Sequence, residues 1–391
     1  MKLNYGGHLA YCTNIHRGRD WRQTLESLRK YTMAVRRKVC PRGPFAIGLR
    51  LGSQAATELA DRKRLLEFRR WLDKNNCYIF SVNGFPFGPF HGTSVKENVY
   101  LPDWTSPERL AYTNLLFELL AELVPGGVEG SVSTLPGSFK QFITGARQTK
   151  LIRDNIWRCV EHISRLSERT GKKFHLGLEP EPLCLLENSR ETISFFERLR
   201  AEHRNDPRLD EFLGVNYDCC HFAVEFEEPQ KALKAFKKAG IKISKIHLSS
   251  ALKTLATREA RAALKKFADD VYLHQIVARD ARGKLEYFRD LRDALATKSE
   301  PKTQNSKLPE WRIHFHVPLH AAAIPPFQST NDHLLGTLDW LAKNRTACSH
   351  LEMETYTWEV LPPALKSRSV VRQLAAEYDW TLARLAERGL K

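Results

Sequence analysis

No stretch of this 391-residue chain approaches the roughly 18 consecutive apolar residues that a membrane-spanning helix needs, so no membrane span is expected. The opening MKLNYGGHLAYC has neither a long apolar stretch nor a cleavage-like site, which argues against a secretory signal and makes the cytoplasm the default location. The eight cysteines form no C-x-x-C pair, which argues against a structural zinc knot. Scattered thiols in a large chain of a reducing compartment read as small buried hydrophobes. Cys219 and Cys220 stand apart only because they lie between Asp218 and His221. No G-x-G-x-x-G follows the first apolar run, which weakens a dinucleotide-binding reading. Internal repeats, a clear linker and a basic low-complexity tail are also missing, and the chain reads as one domain over 1–391.

What is present is a hydrophobic content of 42%, enough for a substantial core, and a formal net charge of +16. That charge permits an anionic partner without specifying one. Segments such as DRKRLLEFRRW and KALKAFKKAG interleave charge with apolar residues at helical spacing, as solvated helix faces do. Nucleic acid is therefore not called for, although the charge does not exclude it.

Strand-like runs alternate with helix-like stretches. The runs start near Leu3, Ala46, Tyr78, Gly130, Phe174, Leu213, Ile243 and His350, with amphipathic segments over 21–39, 59–74, 107–123, 150–169, 189–203 and 229–239. Ile152, Ile156, Val160 and Ile163 make one helical stripe. Eight strands with intervening helices predict a parallel sheet, most economically closed as a (β/α)8 TIM barrel, with a doubly wound sheet as the alternative. Two stretches exceed a minimal barrel. Residues 84–107 form a long loop rich in Gly, Pro and aromatics, of the kind used for lids and binding. An insertion of about 251–312, between the seventh and eighth strands, contains VYLHQIVA, a charged helix LEYFRDLRDAL and a polar mobile loop, ATKSEPKTQNSKLPE. WRIHFHVPLH closes it over the barrel mouth, and a helix over about 367–389 ends the chain.

Several runs end in a side chain suited to metal binding or catalysis. They are YIFSVNGFPFGPFH (Asn83, His91), FHLGLEPE (Glu179, Glu181), LGVNYDCCH (Asp218, His221), ISKIHLSS (His247), WRIHFHVPLH (His314, His316, His320) and LEMETYTW (Glu352, Glu354). In a parallel barrel the strand C-termini converge on one face, where carboxylates and imidazoles together can hold a divalent ion such as Mn, Mg, Co or Zn. Each residue alone has a bland alternative: loop carboxylates in solvent for Glu179 and Glu181, a hydrogen-bonded core imidazole for His247. Pro180 and Pro182 interrupt regular pairing, which favours Glu179 over Glu181, and Glu354 lies nearer the strand end than Glu352. His314 and His316 share one strand parity and are further candidate ligands. Lys253 could meet an anionic group of a substrate. The loop aromatics Phe85, Phe87, Phe90 and Trp104, with Tyr356 and Trp358, would suit a partly apolar small metabolite.

The ordered set Glu, Asp-x-x-His, His, Glu resembles the xylose-isomerase-like TIM barrels. In the epimerase branch this resemblance implies Glu179, Asp218, His247 and Glu354 as metal ligands and His221 as a substrate contact. It also implies Glu179 and Glu354 as the carboxylates that remove and return a proton on opposite faces of a substrate carbon. His314 and His316 are similar to a histidine-bearing stretch of the endonuclease IV branch, whose other zinc-binding histidines have a counterpart here only in His91. Across nearly the whole chain, the phrases LNYGGHLAYCTNIH, FPFGPFHG, LEPEP, NYDCCH, HFHVPLH and ETYTWEVLP look like the EboE family of metabolite-traffic proteins. The expectations are a metal-dependent isomerase or epimerase acting on a small metabolite, a non-catalytic binding protein that keeps the same pocket, or a zinc phosphodiesterase.

Overall fold

Buried parallel strands need apolar side chains on both faces, and the apolar runs become strands for that reason. In the computed structural model these are β1 His8–Tyr11, β2 Phe45–Arg50, β3 Cys77–Asn83, β4 Gly130–Thr134, β5 Phe174–Leu178, β6 Leu213–Asp218 and β7 Lys242–Leu248. Five shorter strands follow: β8 Leu252–Leu255, β9 Ile276–Arg279, β10 Leu285–Phe288, β11 Glu310–Ile313 and β12 Gln328–Ser329, before β13 His350–Met353. The structure describes residues 1–88, 96–267, 272–297, 308–361, 366 and 369–391.

The large sheet runs β1-β13-β7-β6-β5-β4-β3-β2, with every paired neighbour parallel. Its two ends meet through a parallel bridge from Cys12 to Gly48, which closes the predicted (β/α)8 barrel. Gly48 is required there by close approach: a Cβ would lie 2.6 Å from both the Tyr11 carbonyl oxygen and Glu352 Cδ. Helices sheath the barrel. In Ala146–Thr170 the predicted stripe Ile152, Ile156, Val160 and Ile163 is fully buried, and Gly171 at φ 66° ends the helix in the left-handed region.

Several expectations are corrected. The first strand begins at His8 rather than near Leu3, because Asn4–Gly6 makes a tight turn with Tyr5 at φ 55°, and Lys2 folds back to bridge His8. The insertion is larger than 251–312: β10-β9-β11-β8-β12 form an antiparallel sheet reaching Ser329, with its own core of Phe267, Ile276, Trp311, Ile313 and Phe315. LEYFRDLRDAL is not one helix, since Leu285–Phe288 pairs with β9 and only Leu291–Ala296 is helical. Most of the expected mobile loop, residues 298–307, lies outside the described residues. WRIHFHVPLH is a strand only to Ile313. Its remainder crosses the strand C-termini, tied down by Val317 N–H to the Ser250 carbonyl (2.9 Å) and by His316 Nδ1 to the Glu354 carbonyl (2.9 Å). The closing helix is Val370–Ala386, shorter than 367–389, with residues 367 and 368 outside the described set.

Candidate metal centre

The barrel registers place the donors. Asp218 and His247 are direct partners across β6 and β7, and His247 pairs with Glu352 on β13. Glu354 sits two residues further, its N–H bonded to the Leu248 carbonyl (3.1 Å), while the Glu179 N–H is held by the Thr134 carbonyl (3.0 Å). Glu179, Asp218, His247 and Glu354 thereby offer ligand atoms within 4.8 Å of one another, all buried. Around His247 Nδ1 lie Glu179 Oε1 at 3.0 Å, Glu354 Oε2 at 3.0 Å and Asp218 Oδ2 at 3.4 Å.

Charge decides what this set suits. Three carboxylates share a buried space with one imidazole, so even a protonated His247 leaves negative charge uncompensated, at a cost of several kcal/mol. Burial pushes the Glu179 carboxyl up, but the charge and hydrogen bond of His247 outweigh it and hold it below the usual range. Burial acts the same way on Asp218, where the pull of His221 and His247 prevails and takes it well below. Burial lowers His247, yet Glu354 and the other carboxylates raise it well above the ordinary value. Asp218 adds a second sign. Its Oδ1 accepts from the His221 N–H (3.0 Å), capping the helix Cys219–Val224, and from Ser249 Oγ (2.7 Å). Its Oδ2 has no hydrogen-bond partner among the described residues. A divalent cation is the charge this donor set lacks, and the residues fit one.

Glu352 and Glu181, the two alternatives, lie elsewhere. Glu352 is one layer deeper in the barrel with Lys245 (3.5 Å), which also donates to Ser133 Oγ (2.9 Å). Glu181 accepts from Tyr100 Oη (2.7 Å) and lies 3.6 Å from His314 Nδ1. Burial raises its pKa to about 7 against the opposing pull of His221. His221, His314 and His316 pack together beside the carboxylates, with His221 centred 4.6 Å from His314 and 5.7 Å from His316.

A small cavity of about 50 Å³ lies above the cluster, bounded by Phe85, Tyr100, Glu181, Tyr272 and Tyr356. In that shape it has room for a few waters. A larger apolar hollow of about 360 Å³ on the small sheet, between Leu252, Phe267 and Pro326, shares no lining residue with it. Of the predicted substrate contacts, His221 and Tyr356 line the cavity. Lys253 does not: β8 belongs to the small sheet, and the lysine pairs with Asp332 at 2.9 Å. Trp358 lies by a surface groove with Glu359 and under the ammonium of Lys366. Trp104 is a core residue with no exposure, while His91 and Phe90 lie outside the described residues.

Sequence reasoning missed four positioning groups. Asn14 Nδ2 donates to Glu354 Oε1 at 2.6 Å, Ser249 holds Asp218, and Gln275 and Tyr100 link His314 to Glu181. The available signal was a polar residue just past β1 for Asn14, and a lone amide within the apolar run VYLHQIVA for Gln275.

No protein-family model and no curated protein matches the chain. Among solved structures it is similar to a D-tagatose 3-epimerase-like protein, with 12% identity, a TM-score of 0.49 and 97% of each chain covered. It is similar also to an IOLI protein with a binding zinc atom, at 13% identity and TM-score 0.48, over 97% of this chain and 98% of that one. A xylose isomerase domain protein from Alicyclobacillus acidocaldarius subsp. acidocaldarius gives 12% and 0.49, over 98% and 99%. At these values the likenesses carry no argument about chemistry. By its own strand order the chain is an eight-stranded parallel barrel ringed by helices, with donors gathered at the C-terminal ends of its strands.

Proposed function

We propose that the protein is a metal-dependent isomerase or epimerase that moves a proton on a small polyhydroxylated or carbonyl metabolite. The observation that carries this reading is the pair Glu179 and Glu354, each 3.0 Å from His247 Nδ1 and reaching it from strands on different sides of the barrel. Two carboxylates so disposed can face opposite sides of one substrate carbon, one taking a proton while the other returns it. Glu179, Asp218, His247 and Glu354 would hold a divalent cation, which when bound would supply Lewis-acid polarisation. Asn14 fixes the Glu354 carboxylate, and the roof of Phe85, Tyr100 and Tyr356 excludes bulk water from it. His221, whose Nδ1 donates to the Pro180 carbonyl at 2.9 Å, lines the same cavity. The metabolite-traffic setting rests on the sequence phrases alone. Its binding-only counterpart keeps the pocket and needs no proton transfer.

The two are separated by incubating metal-loaded protein with a panel of ketoses, aldoses and keto acids in D2O. Deuterium incorporation at carbon, seen by NMR, is the expected result. Compared at matched, saturating metal occupancy, Glu354→Gln should slow it by about 10²–10⁴-fold while ligand binding by calorimetry changes little. A sugar that binds without exchange in the wild type, or equal exchange in the mutant, would end the assignment.

A further inference from the structure

One group lining the cavity above the carboxylate centre has no part in the proposed proton transfer. Lys96, in the loop between β3 and the helix Pro107–Leu123, is the one lysine or arginine among the described lining residues, which also include Glu179, Glu181 and Glu354. Its side chain is 22% exposed, against 5% and 7% for Glu179 and Glu354. The ammonium therefore stands at the mouth of the cavity and the carboxylates on its floor. Lys253, the lysine that the sequence suggests for an anionic substrate group, is taken up by Asp332 on the small sheet and leaves that role open.

The partners of Lys96 are replaceable. Its Nζ donates to the Tyr272 carbonyl (2.9 Å) and to Asp290 Oδ2 (2.6 Å), across the seam between the loop and the insertion. Its backbone sits at φ 38°, in the left-handed region that a lysine keeps only where its surroundings demand it. Asp290 does not depend on the lysine for its place. Its side chain accepts from the Asp293 N–H and its own N–H donates to Asp293 Oδ2 (3.1 Å), which caps the helix Leu291–Ala296. The seam must also yield. The cavity of about 50 Å³ holds a few waters, and a sugar-sized molecule enters only once the loop and the insertion part. An anionic group arriving at the mouth can accept from the ammonium in place of Asp290, in a charge-assisted bond. The acidic floor repels that same group, so the charges of the site orient the molecule with its anionic end outward and its carbonyl end down.

We infer that Lys96 is a substrate-binding residue, which exchanges Asp290 for a carboxylate or phosphate at the end of the metabolite remote from its reacting carbon. The substrate class is then an anionic sugar derivative rather than a neutral sugar. The assignment rests on the proposed reading of the carboxylate centre as the place where a small metabolite binds. It does not need the proton transfer, because it is read from binding alone.

The test is a comparison of three ligands by calorimetry on the full-length protein with Mn²⁺ in excess: D-fructose, D-fructuronate and D-fructose 6-phosphate, which differ only at the carbon furthest from the carbonyl. At least one anion should bind about 10-fold or more tighter than D-fructose, and which one does tells a carboxylate from a phosphate. Lys96→Met should bring that ratio to about one, and Lys96→Arg should restore most of it. Asp290→Asn keeps the helix cap and removes the competing charge, so it should tighten the anion several-fold. A wild type that takes neither anion more tightly than D-fructose, silence with all three ligands included, overturns the assignment. So does a preference that survives Lys96→Met. An Asp290→Asn variant that loses the preference as Lys96→Met does would make the ion pair a structural clasp and overturn it as well. The wild-type ratio and the Asp290→Asn arm decide the matter even if Lys96→Met fails to fold. An anion bound through Lys96 without deuterium exchange at carbon would end the catalytic reading and leave this one standing.

Discussion

At Asp218 the two oxygens of one carboxylate do different things: Oδ1 caps a helix and accepts from Ser249, while Oδ2 is left toward His247. The division is local, set by the strand-to-helix turn at Asp218–Cys219, and the Asp-x-x-His spacing that produces it is visible in the sequence. The groups that steer Glu354 are not, because Asn14 is 340 residues away along the chain. Burial sets the behaviour of Glu377. Its carboxyl is fully buried, accepting from Thr355 Oγ1 (3.0 Å) and Gln373 Nε2 (3.1 Å), and burial raises its pKa to about 8. Between the ordinary value of 4.5 and that level, the unfolded chain has lost a proton that the folded chain keeps. Stability contributed by this group therefore falls as pH rises through the window and levels off above it. Glu377→Gln should remove the fall, gaining on the order of 2–4 kcal/mol relative to wild type between pH 5 and pH 8.5 in denaturant titrations. Parallel pH profiles for the two proteins would refute it.

Among the elements, the barrel strands were legible and the small sheet was not, for one physical reason. Barrel strands are buried on both faces, so β2, β5 and β6 read as continuous apolar runs. The small sheet is antiparallel, its strands are four residues or fewer, and β10 carries exposed Glu286 and Tyr287 within a charged context that reads as helix. Its core is nonetheless real, and Trp311 at 2% exposure sits in it with Ile276, Leu291 and Phe315. Because β11 leads straight into His314, that core sets where the imidazoles lie. Trp311→Ala should cost about 3–5 kcal/mol. Hydrogen exchange should rise in β8, β9 and β11 first. Uniform exchange across the barrel as well would show that the small sheet has no separate stability.

For the whole molecule, closure of the barrel is what converts distant residues into neighbours, and the order of phrases along the chain was enough to anticipate the gathering of Glu179, Asp218, His247 and Glu354. What the order could not supply was depth, which separates Glu354 from Glu352, or the reach of the insertion that delivers His314. A cation joining these elements would bind only the folded chain, so stripping it should lower the melting temperature. Restoring it at 100 times its Kd should add about 2.7 kcal/mol per site. A melting temperature indifferent to Mn²⁺ and Zn²⁺ would speak against any resident ion. The roof over the cluster has one more consequence. Asp218 and His247 have no exposure, Glu179 and Glu354 have 4% and 5%, and the cavity above them admits little more than water. An ion sealed beneath Phe85, Tyr100 and Tyr272 leaves only as often as those side chains part, however weak or strong its bonds. The identity of any ion held there would then record which one was at hand when the chain closed over it, and a preparation's metal content would report its folding history before it reports selectivity.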